Sequence, residues 1–484
     1  MPEKFQKTKI SSGIKGLDDI LNGGYFEYNS YLIAGGPGSG KTTICLHFLE
    51  EGDKKGEPCL FITLGEKEEQ IRSNASLLGL KLKNVEFLDL SPSAEFFTEV
   101  ESYDIFSPAE VEREPVTKAI KDKIESLKPK RVVIDSMTQF RYLSTDVFQF
   151  RKQVLSFLRF LNESGVTVLF TAETSQDAPD DDLRFLADGI IDLSYSEIGK
   201  QLEVKKFRGS DYLSGKHYYE IRNDYGMVVF PRILPLEKKV NLTFEKLPSG
   251  VPEIDELLYG GIERGTVTII SGPSGTGKTT LGMQFIKEAA GRGERSVLYT
   301  FEESIEKIIE RSSSVNIPIN QMIKKGTLEI KKIEPLIFTP CSFASMVKDD
   351  VEKNTTRIVM LDSTSGYKLS VRGSEITTHL HALCKYLSNN GVTVFLPTET
   401  KNITGDFQIA QEDISYLADN VIILRYIEVQ GELRRAIGVL KKRLGDFEKT
   451  LREFQITKYG IRVGEPLKNM RNILSGSPVL VKGK

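Results

Sequence analysis

The sequence lacks an excess of either charge, a paired-cysteine motif and a long apolar run. Its 65 basic and 67 acidic side chains nearly balance, so no general field favours nucleic acid or an anionic membrane. The four cysteines show no C-x-x-C spacing, which predicts reduced thiols in a cytoplasmic protein. There is neither an apolar leader nor a run of 18 apolar residues. We therefore expect no secretion and no membrane partner.

Length and an internal repeat predict two domains. A chain of 484 residues is too long for one hydrophobic core. The segment Ser12-Gly13-Ile14 recurs as Ser249-Gly250-Val251, and the same offset of 237 residues carries Lys41 onto Lys278. We predict a duplicated domain, with a first repeat at 1–242 and a second at 243–484.

Each repeat carries the motif G-x-x-x-x-G-K-[ST] between an apolar strand and a helix. Glycine-rich backbone can wrap closely round a polyphosphate, so that its N–H groups and the helix N-terminus point at the anion. The lysine would reach the β- and γ-phosphates, and the next threonine would hold Mg²⁺. A flexible glycine turn is the alternative, which the context disfavours. The predicted ATP-binding residues are Gly35, Gly36, Pro37, Gly38, Ser39, Gly40, Lys41, Thr42 and Thr43, with Gly272, Pro273, Ser274, Gly275, Thr276, Gly277, Lys278, Thr279 and Thr280.

Short β-rich runs alternate with helical patterns in both repeats. The runs at 131–135 and 357–362 are typical of buried parallel strands, and 148–162 and 375–389 are predicted helices. The predicted fold class is α/β, with two tandem P-loop domains that each have a mostly parallel, twisted sheet flanked by helices. Right-handed crossovers would place the ligand at the carboxyl ends of the strands.

Carboxylates follow the predicted strands at these ends. Asp135 and Asp362 are placed to meet the hydration shell of Mg²⁺, so the predicted metal ligands are Thr42 with Asp135 and Thr279 with Asp362. Helix capping is the alternative role for the two aspartates.

A carboxylate pair distinguishes the repeats. Glu302 and Glu303 are suitably placed to orient or deprotonate a nucleophile that attacks the γ-phosphate. The first repeat has only Glu66 there, which a solvated loop would also explain. Glu173 and Glu399 each follow a later predicted strand of their repeat. They could sense the γ-phosphate through a water molecule or have only a capping role.

The chain resembles the KaiC family of circadian-clock-type ATPases, a double-domain branch of the RecA-like P-loop proteins, over nearly its full length. The resemblance implies two RecA-like domains, ATPase and autokinase activity, and a homo-oligomer of two stacked rings of six subunits with nucleotide between neighbours. Its most specific segments lie at 413–419, 421–429, 431–432, 435–437, 452–454 and 473–478.

In this family a lysine and an arginine from the adjacent subunit reach the γ-phosphate. Lys206 and Arg208 match them in the first repeat, and Lys441 and Arg443 match them in the second. The spacing sends both side chains to one face of a strand. Taken alone, K-x-R is more often a solvated face, whereas an arginine supplied in trans would make the site depend on assembly.

The resemblance also implies a phosphorylation site. Ser415 matches the first of two adjacent phosphorylated hydroxyls, and Tyr416, where clock members have threonine, is the less favoured candidate. Gly65 replaces the first carboxylate of the family's pair, which puts hydrolysis, though not binding, by the first domain in doubt. The chain stops at Lys484 without the long tail of clock members. We therefore expect a signalling ATPase with an unknown protein partner rather than a circadian oscillator.

Three classes of function stay open. The favoured class is a Mg·ATP-dependent ATPase with serine autokinase activity, and the second is a nucleotide-gated scaffold. A RecA-like DNA translocase or recombinase is third, because the charge is balanced and no arginine-rich or aromatic stacking segment stands out. Phosphate incorporation separates the first two classes, and DNA-stimulated ATPase activity would favour the third.

Overall fold

The structure is a computed structural model that describes residues 8–91, 109–141, 147–173, 180–234, 245–371, 375–400, 415–468, 470–473 and 479–480, without the side chains of 109–115, 415 and 480. The chain divides into two compact units, Met1–Arg232 and Ile233–Lys484. The predicted domain boundary near 242 lies outside the described residues and stays a prediction.

The first unit is built on a nine-stranded sheet with the order β11-β10-β9-β8-β3-β7-β6-β4-β5. Its strands β1 to β11 are Lys9–Ile10, Tyr25–Phe26, Ser30–Gly35, Cys59–Thr63, Val85–Asp89, Arg131–Asp135, Thr167–Glu173, Gly189–Ser196, Gly199–Phe207, Lys216–Arg222 and Gly226–Phe230. Its helices α1 to α6 are Lys15–Ile20, Lys41–Lys54, Glu68–Leu77, Ala109–Leu127, Val147–Glu163 and Asp181–Leu186. The pairs from β8 to β5 are parallel, and β9, β10 and β11 extend the sheet in antiparallel fashion.

The second unit repeats this plan with the order β16-β15-β17-β18-β14-β19-β20-β21-β22. Its strands β12 to β24 are Lys246–Leu247, Ile262–Glu263, Val267–Gly272, Ser296–Thr300, Leu328–Lys332, Ile358–Asp362, Thr393–Glu399, Asn420–Val429, Glu432–Lys442, Arg452–Thr457, Gly460–Pro466, Met470–Arg471 and Val479–Leu480. Its helices α7 to α13 are Pro252–Leu257, Lys278–Gly291, Ile305–Ser313, Ile319–Lys324, Pro340–Asn354, Thr364–Ser370 and Ile376–Asn389. The predicted α/β fold, with two mostly parallel sheets flanked by helices, is confirmed.

Helices cover both faces of each sheet because the central strands are apolar on both sides. In β3, Tyr31 and Ile33 join the core beneath α2, whereas Leu32 and Ala34 join the core beneath α5. This alternation follows from the two-residue period of a strand. In β14, Ile270 and Ile269 divide between two cores in the same way.

The sheet order places each phosphate loop at the carboxyl end of a central strand. Strand β3 lies between β7 and β8, and its last residue, Gly35, pairs with Glu173. In the second unit Gly272 of β14 pairs with Glu399 of β18. The strand ends therefore bring together residues that are distant in sequence, as expected for a parallel sheet.

All four cysteines are buried and unbridged. Across the described ranges, no helix is both long enough and apolar enough to cross a membrane.

Candidate nucleotide sites

The first phosphate loop runs from β3 into α2 and closes over its own lysine. Lys41 Nζ donates to Gly35 O at 2.9 Å and to Gly36 O at 3.1 Å, so the ammonium group lies within the curve of the loop. Gly40 has φ 93°, a left-handed conformation that glycine adopts without strain. A Cβ there would stand 2.9 Å from Ile221 Cδ1, the end of a side chain that would have to shift, so the backbone angle is the stronger reason for glycine.

The second loop, between β14 and α8, has the same form. Lys278 Nζ donates to Pro273 O at 2.8 Å, and Gly277 has φ 104° with Ile456 Cδ1 2.4 Å from the place of a Cβ. Burial lowers the pKa of Lys278, while Glu399 acts against this shift. The two loops therefore present one lysine each in equivalent positions.

Each loop threonine is hydrogen-bonded to the strand-end aspartate that the sequence singles out. Thr42 Oγ1 donates to Asp135 Oδ2 at 2.6 Å, and Thr279 Oγ1 donates to Asp362 Oδ2 at 2.8 Å. Burial raises the pKa of Asp362 to about 6, against the opposing effect of the Thr279 hydrogen bond. The peptide bond after each aspartate is cis.

A hydroxyl beside a carboxylate suits Mg²⁺, which prefers oxygen ligands and usually takes one or two carboxylates together with phosphate and water oxygens. Over the part of the chain that the structure describes, no cluster of three or more His, Cys, Asp or Glu side chains could hold a metal. One threonine hydroxyl and one aspartate carboxylate beside a phosphate loop fit a magnesium ion that takes its other ligands from a nucleotide and water.

The two glutamates of the second site have different partners. Glu302 Oε1 accepts a hydrogen bond from Ser363 Oγ at 2.9 Å, whereas Glu303 Oε1 forms an ion pair with Arg311 Nη1 at 2.6 Å. Sequence reasoning missed both partners. A comparison of the repeats at the offset of 237 residues could have drawn attention to Arg311, because the first repeat has the uncharged Asn74 at the equivalent position.

At the position of this pair, the first site has only Glu66, which is largely exposed. Partial burial of its carboxyl group, together with the nearby Asp135, raises the pKa of Glu66. At the end of β7, the backbone N–H of Glu173 donates to Thr138 Oγ1 at 3.1 Å. The sensing role proposed for Glu173 and Glu399 stays a prediction.

An open cleft of about 410 Å³ lies at the second loop. Sequence reasoning did not assign six of its lining residues to the site: Thr300, Arg311, Val315, Ser363, Arg435 and Ile456. The lining residues are Ser274, Gly275, Gly277, Lys278, Thr279, Thr280, Thr300, Glu302, Glu303, Arg311, Val315, Asp362, Ser363, Glu399, Arg435 and Ile456.

The predicted lysine–arginine pairs lie at the ends of β9 and β20. Arg208 Nη1 stands 3.3 Å from Asp188 Oδ1, and Arg443 Nη1 stands 3.1 Å from Asp419 Oδ1, with both arginine side chains more than half exposed. Lys206 Nζ donates to Phe185 O at 3.1 Å. Burial and the adjacent arginine lower the pKa of each lysine, Lys206 and Lys441.

Neither member of the second pair lines the cleft of its own unit. The structure thus does not bring Lys441 or Arg443 to the phosphate loop of the same chain.

A family model described as "ATPase: KaiC" matches residues 10–233 and 247–468. The chain belongs to the KaiC family of ATPases. Its two matched ranges correspond to the two repeats, so the predicted family, the duplicated RecA-like fold and nucleotide-binding ATPase character are confirmed.

Three KaiC proteins are similar to this chain over almost its whole length. The circadian clock protein KaiC3 of Synechocystis sp. (strain PCC 6803) is 29% identical, covering 97% of this chain and 94% of the relative. The circadian clock oscillator protein KaiC of Parasynechococcus marenigrum (strain WH8102) is 29% identical, covering 98% and 94%. KaiC of Prochlorococcus marinus (strain MIT 9313) is 28% identical, covering 98% and 96%.

Ser415, the residue predicted to be phosphorylated, begins the 3₁₀ turn Ser415–Leu417. The side chain of Ser415 and residues 413–414 and 474–478 lie outside the described part of the chain. Tyr416 is 53% exposed, with its ring 5.4 Å from that of His381. Modification of Ser415 or Tyr416 stays a prediction.

Proposed function

We propose that this KaiC-family ATPase binds Mg·ATP at both loops, assembles as an ATP-dependent ring and transfers phosphate to Ser415 at its second site. The observation that carries the proposal is the threonine–aspartate contact beside each lysine-bearing loop, 2.6 Å in the first unit and 2.8 Å in the second. Two compact units repeat this arrangement, which supports two nucleotide sites per chain.

Thr42 with Asp135 and Thr279 with Asp362 would hold Mg²⁺, which when bound supplies positive charge against the phosphate oxygens. Lys278 would bind the β- and γ-phosphates from inside its loop. The glycine-loop N–H groups and the start of α8 would orient the same anion.

Glu302 is the better base of the pair. Its side chain accepts a hydrogen bond from the neutral Ser363 hydroxyl, whereas Glu303 forms an ion pair with Arg311. In the transfer, the Ser415 oxygen bonds to the γ-phosphorus, the bond from that phosphorus to the bridging oxygen breaks, and ADP leaves. Glu302 takes the hydroxyl proton.

Ring assembly would give the lysine–arginine pairs a role. Lys441 and Arg443 lie outside the cleft of their own unit, and the Arg443–Asp419 ion pair is exposed. Such pairs contribute little to stability, on the order of 0–1 kcal/mol. Arg443 could therefore turn to a neighbour's γ-phosphate at small cost, and a ring of six subunits would repeat this contact.

A scaffold role is favoured for the first unit by Gly65. With one carboxylate of the pair replaced, the first site would hold Mg·ATP and turn it over slowly. We propose that this unit, ending near residue 242, supports the ring while the second unit performs the transfer.

Intact-mass measurement with site mapping, after incubation with Mg·ATP or with ADP as a control, tests the autokinase step. We expect one added phosphate on Ser415 with ATP, and almost none in Ser415→Ala or Glu302→Gln. The matched control Tyr416→Phe should keep the phosphate. Equal incorporation in wild type, Ser415→Ala and Glu302→Gln would rule out this acceptor and this base.

A further inference from the structure

Two tyrosine hydroxyls hold the first phosphate loop from outside. Tyr219 on β10 donates to Ser39 O, and Tyr195 on β8 donates to Gly38 O. Tyr219 is 2% exposed, whereas Tyr195 is 56% exposed. The buried contact is the more strongly shielded of the two, since water cannot easily compete for its oxygen.

The Tyr219 contact fixes a peptide plane that belongs to the nucleotide site. In a trans peptide the carbonyl of one residue and the N–H of the next lie in one plane and point in opposite directions. Holding Ser39 O towards β10 therefore directs the Gly40 N–H away from β10. Gly40 is the last glycine before Lys41, where loop N–H groups receive phosphate oxygens.

The phenol is a dependable donor at ordinary pH. Burial raises the pKa of Tyr219, and the neighbouring Tyr195 adds to the shift. Ser39 O thus always faces a protonated hydroxyl.

The second loop is braced in another way. Phe454 is the counterpart of Tyr219. Tyr219 lies two residues before Ile221, which packs on Gly40, and Phe454 lies two residues before Ile456, which packs on Gly277. Phenylalanine offers no hydroxyl, and instead Thr276 Oγ1 donates to Pro273 O at 2.8 Å within the loop. In the first loop, Ser39 Oγ is buried without a hydrogen-bond partner among the described residues.

We infer that Tyr219 is a positioning residue that sets the first phosphate loop in its nucleotide-binding form. The inference rests on the proposed binding of Mg·ATP by that loop and adds a residue outside the motif. The two sites of the chain then differ at this position. Tyr219 of β10 holds the first loop through Ser39 O, whereas the second loop has Phe454 there and a threonine hydrogen bond within the loop, with the Tyr426 hydroxyl of β19 standing 2.8 Å from the place of a Cβ at Gly275. Preorganised N–H donors strengthen anion binding because little ordering remains to be done.

The test measures the affinity of the first site in full-length chains that carry Lys278→Ala, so that the remaining nucleotide reports the first loop. Tyr219→Phe should raise the Kd for Mg·ATP and for Mg·ADP about fivefold, the worth of one ordinary hydrogen bond. Tyr218→Phe is the matched control, since it removes a hydroxyl from the adjacent residue on the other face of β10. In a Lys41→Ala background, Tyr219→Phe should leave the second site's Kd unchanged.

The thermal midpoint of the nucleotide-free chain measures how much stability each variant loses. Tyr219→Phe leaves the buried Ser39 carbonyl without its donor, so its midpoint should fall by on the order of 2–4 °C, the effect of one ordinary hydrogen bond. A first-site Kd within twofold of the parent, or an equal rise in the second site's Kd in the Lys41→Ala background, would overturn the inference. Failure of the proposed function gives a different result: the single variant Lys41→Ala would bind as much nucleotide as the wild-type chain.

Discussion

Asp362 has opposing effects on folding and on binding. Burial raises the pKa of its carboxyl group from the ordinary value for aspartate, 3.8, to about 6. Since the folded state favours the protonated form, stability should fall as pH rises from about 4 to about 7. At neutral pH the ionised Asp362 carboxylate therefore lowers the stability of the nucleotide-free fold, although it stands at a position predicted to bind Mg²⁺.

Asp362→Asn should stabilise the nucleotide-free chain while weakening the second site. The amide keeps an oxygen to accept from Thr279 but carries no charge, so the free energy of unfolding at pH 7.5 in a metal chelator should rise by about 1–3 kcal/mol. Urea unfolding measures this change, and the gain should shrink towards pH 4. Mg²⁺-dependent nucleotide binding by the second site should fall. A less stable variant at pH 7.5 would contradict the assignment.

The limit that Gly65 is predicted to place on hydrolysis by the first site can be tested by restoring the missing carboxylate. Among the described residues no atom lies within 4 Å of the place of its Cβ, and its φ is not in the left-handed region. Gly65→Glu should therefore fit and restore the missing carboxylate, raising first-site hydrolysis at least tenfold on the scale of general-base effects.

Phosphate release in the Lys278→Ala background measures this gain. Gly65→Gln is the control, because it adds the same bulk without a base. Equal rates in the two variants would show that the carboxylate is not what the first site lacks.

At the scale of elements, each loop depends on the strand beneath it. Gly40→Ala would place a Cβ 2.9 Å from both Ile221 Cδ1 and Met227 Cε, at φ 93°. Left-handed backbone costs a residue other than glycine on the order of 1–2 kcal/mol even before this clash. We expect first-site affinity for Mg·ATP to fall more than tenfold by isothermal titration.

Gly291→Ala, at the last residue of α8 and outside both loops, is the control for a glycine-to-alanine change, because no atom of the described residues lies within 4 Å of the new Cβ and the φ is not left-handed. Its first-site affinity should stay within a few-fold of wild type. Similar losses in Gly291→Ala and Gly40→Ala would mean that the effect does not arise from the backbone and packing at Gly40.

The central elements could be predicted because their patterns are local. The run 131–135 is strand β6 in full, and the helix predicted at 148–162 is α5, Val147–Glu163. Apolar side chains in strand or helix period mark such elements, and polar residues mark their ends.

The proximity of each loop threonine to its aspartate could be predicted from the motif spacing together with a parallel sheet. The partners of Glu302 and Glu303 could not be predicted in this way. Ser363 reaches Glu302 across 61 residues of sequence, and Tyr219 reaches Ser39 across 180. Contacts of this kind depend on which strands lie side by side, and no local period encodes that choice.

For the whole molecule, a ring predicts that two defective chains can repair each other. Lys278→Ala removes the phosphate-binding lysine but keeps Arg443, whereas Arg443→Ala keeps the loop. If Arg443 acts on a neighbour, each variant alone should transfer little phosphate to Ser415, and a mixture assembled with ATP should transfer clearly more. Label incorporation measures the repair. Arg434→Ala, which changes an exposed arginine paired with Glu432 on the same strand, is the control and should behave as wild type.

Sedimentation of the same samples tests assembly directly. A chain that stays monomeric at saturating ATP and yet transfers phosphate would exclude a contribution from a neighbouring subunit.

Counting bound nucleotide per chain is the most direct measurement of whether two sites exist. Equilibrium binding of labelled Mg·ATP should give two nucleotides per wild-type chain. Lys41→Ala and Lys278→Ala should each leave one, and the double variant should leave none. One nucleotide per wild-type chain, or an unchanged count in either single variant, would show that one of the two loops does not bind nucleotide.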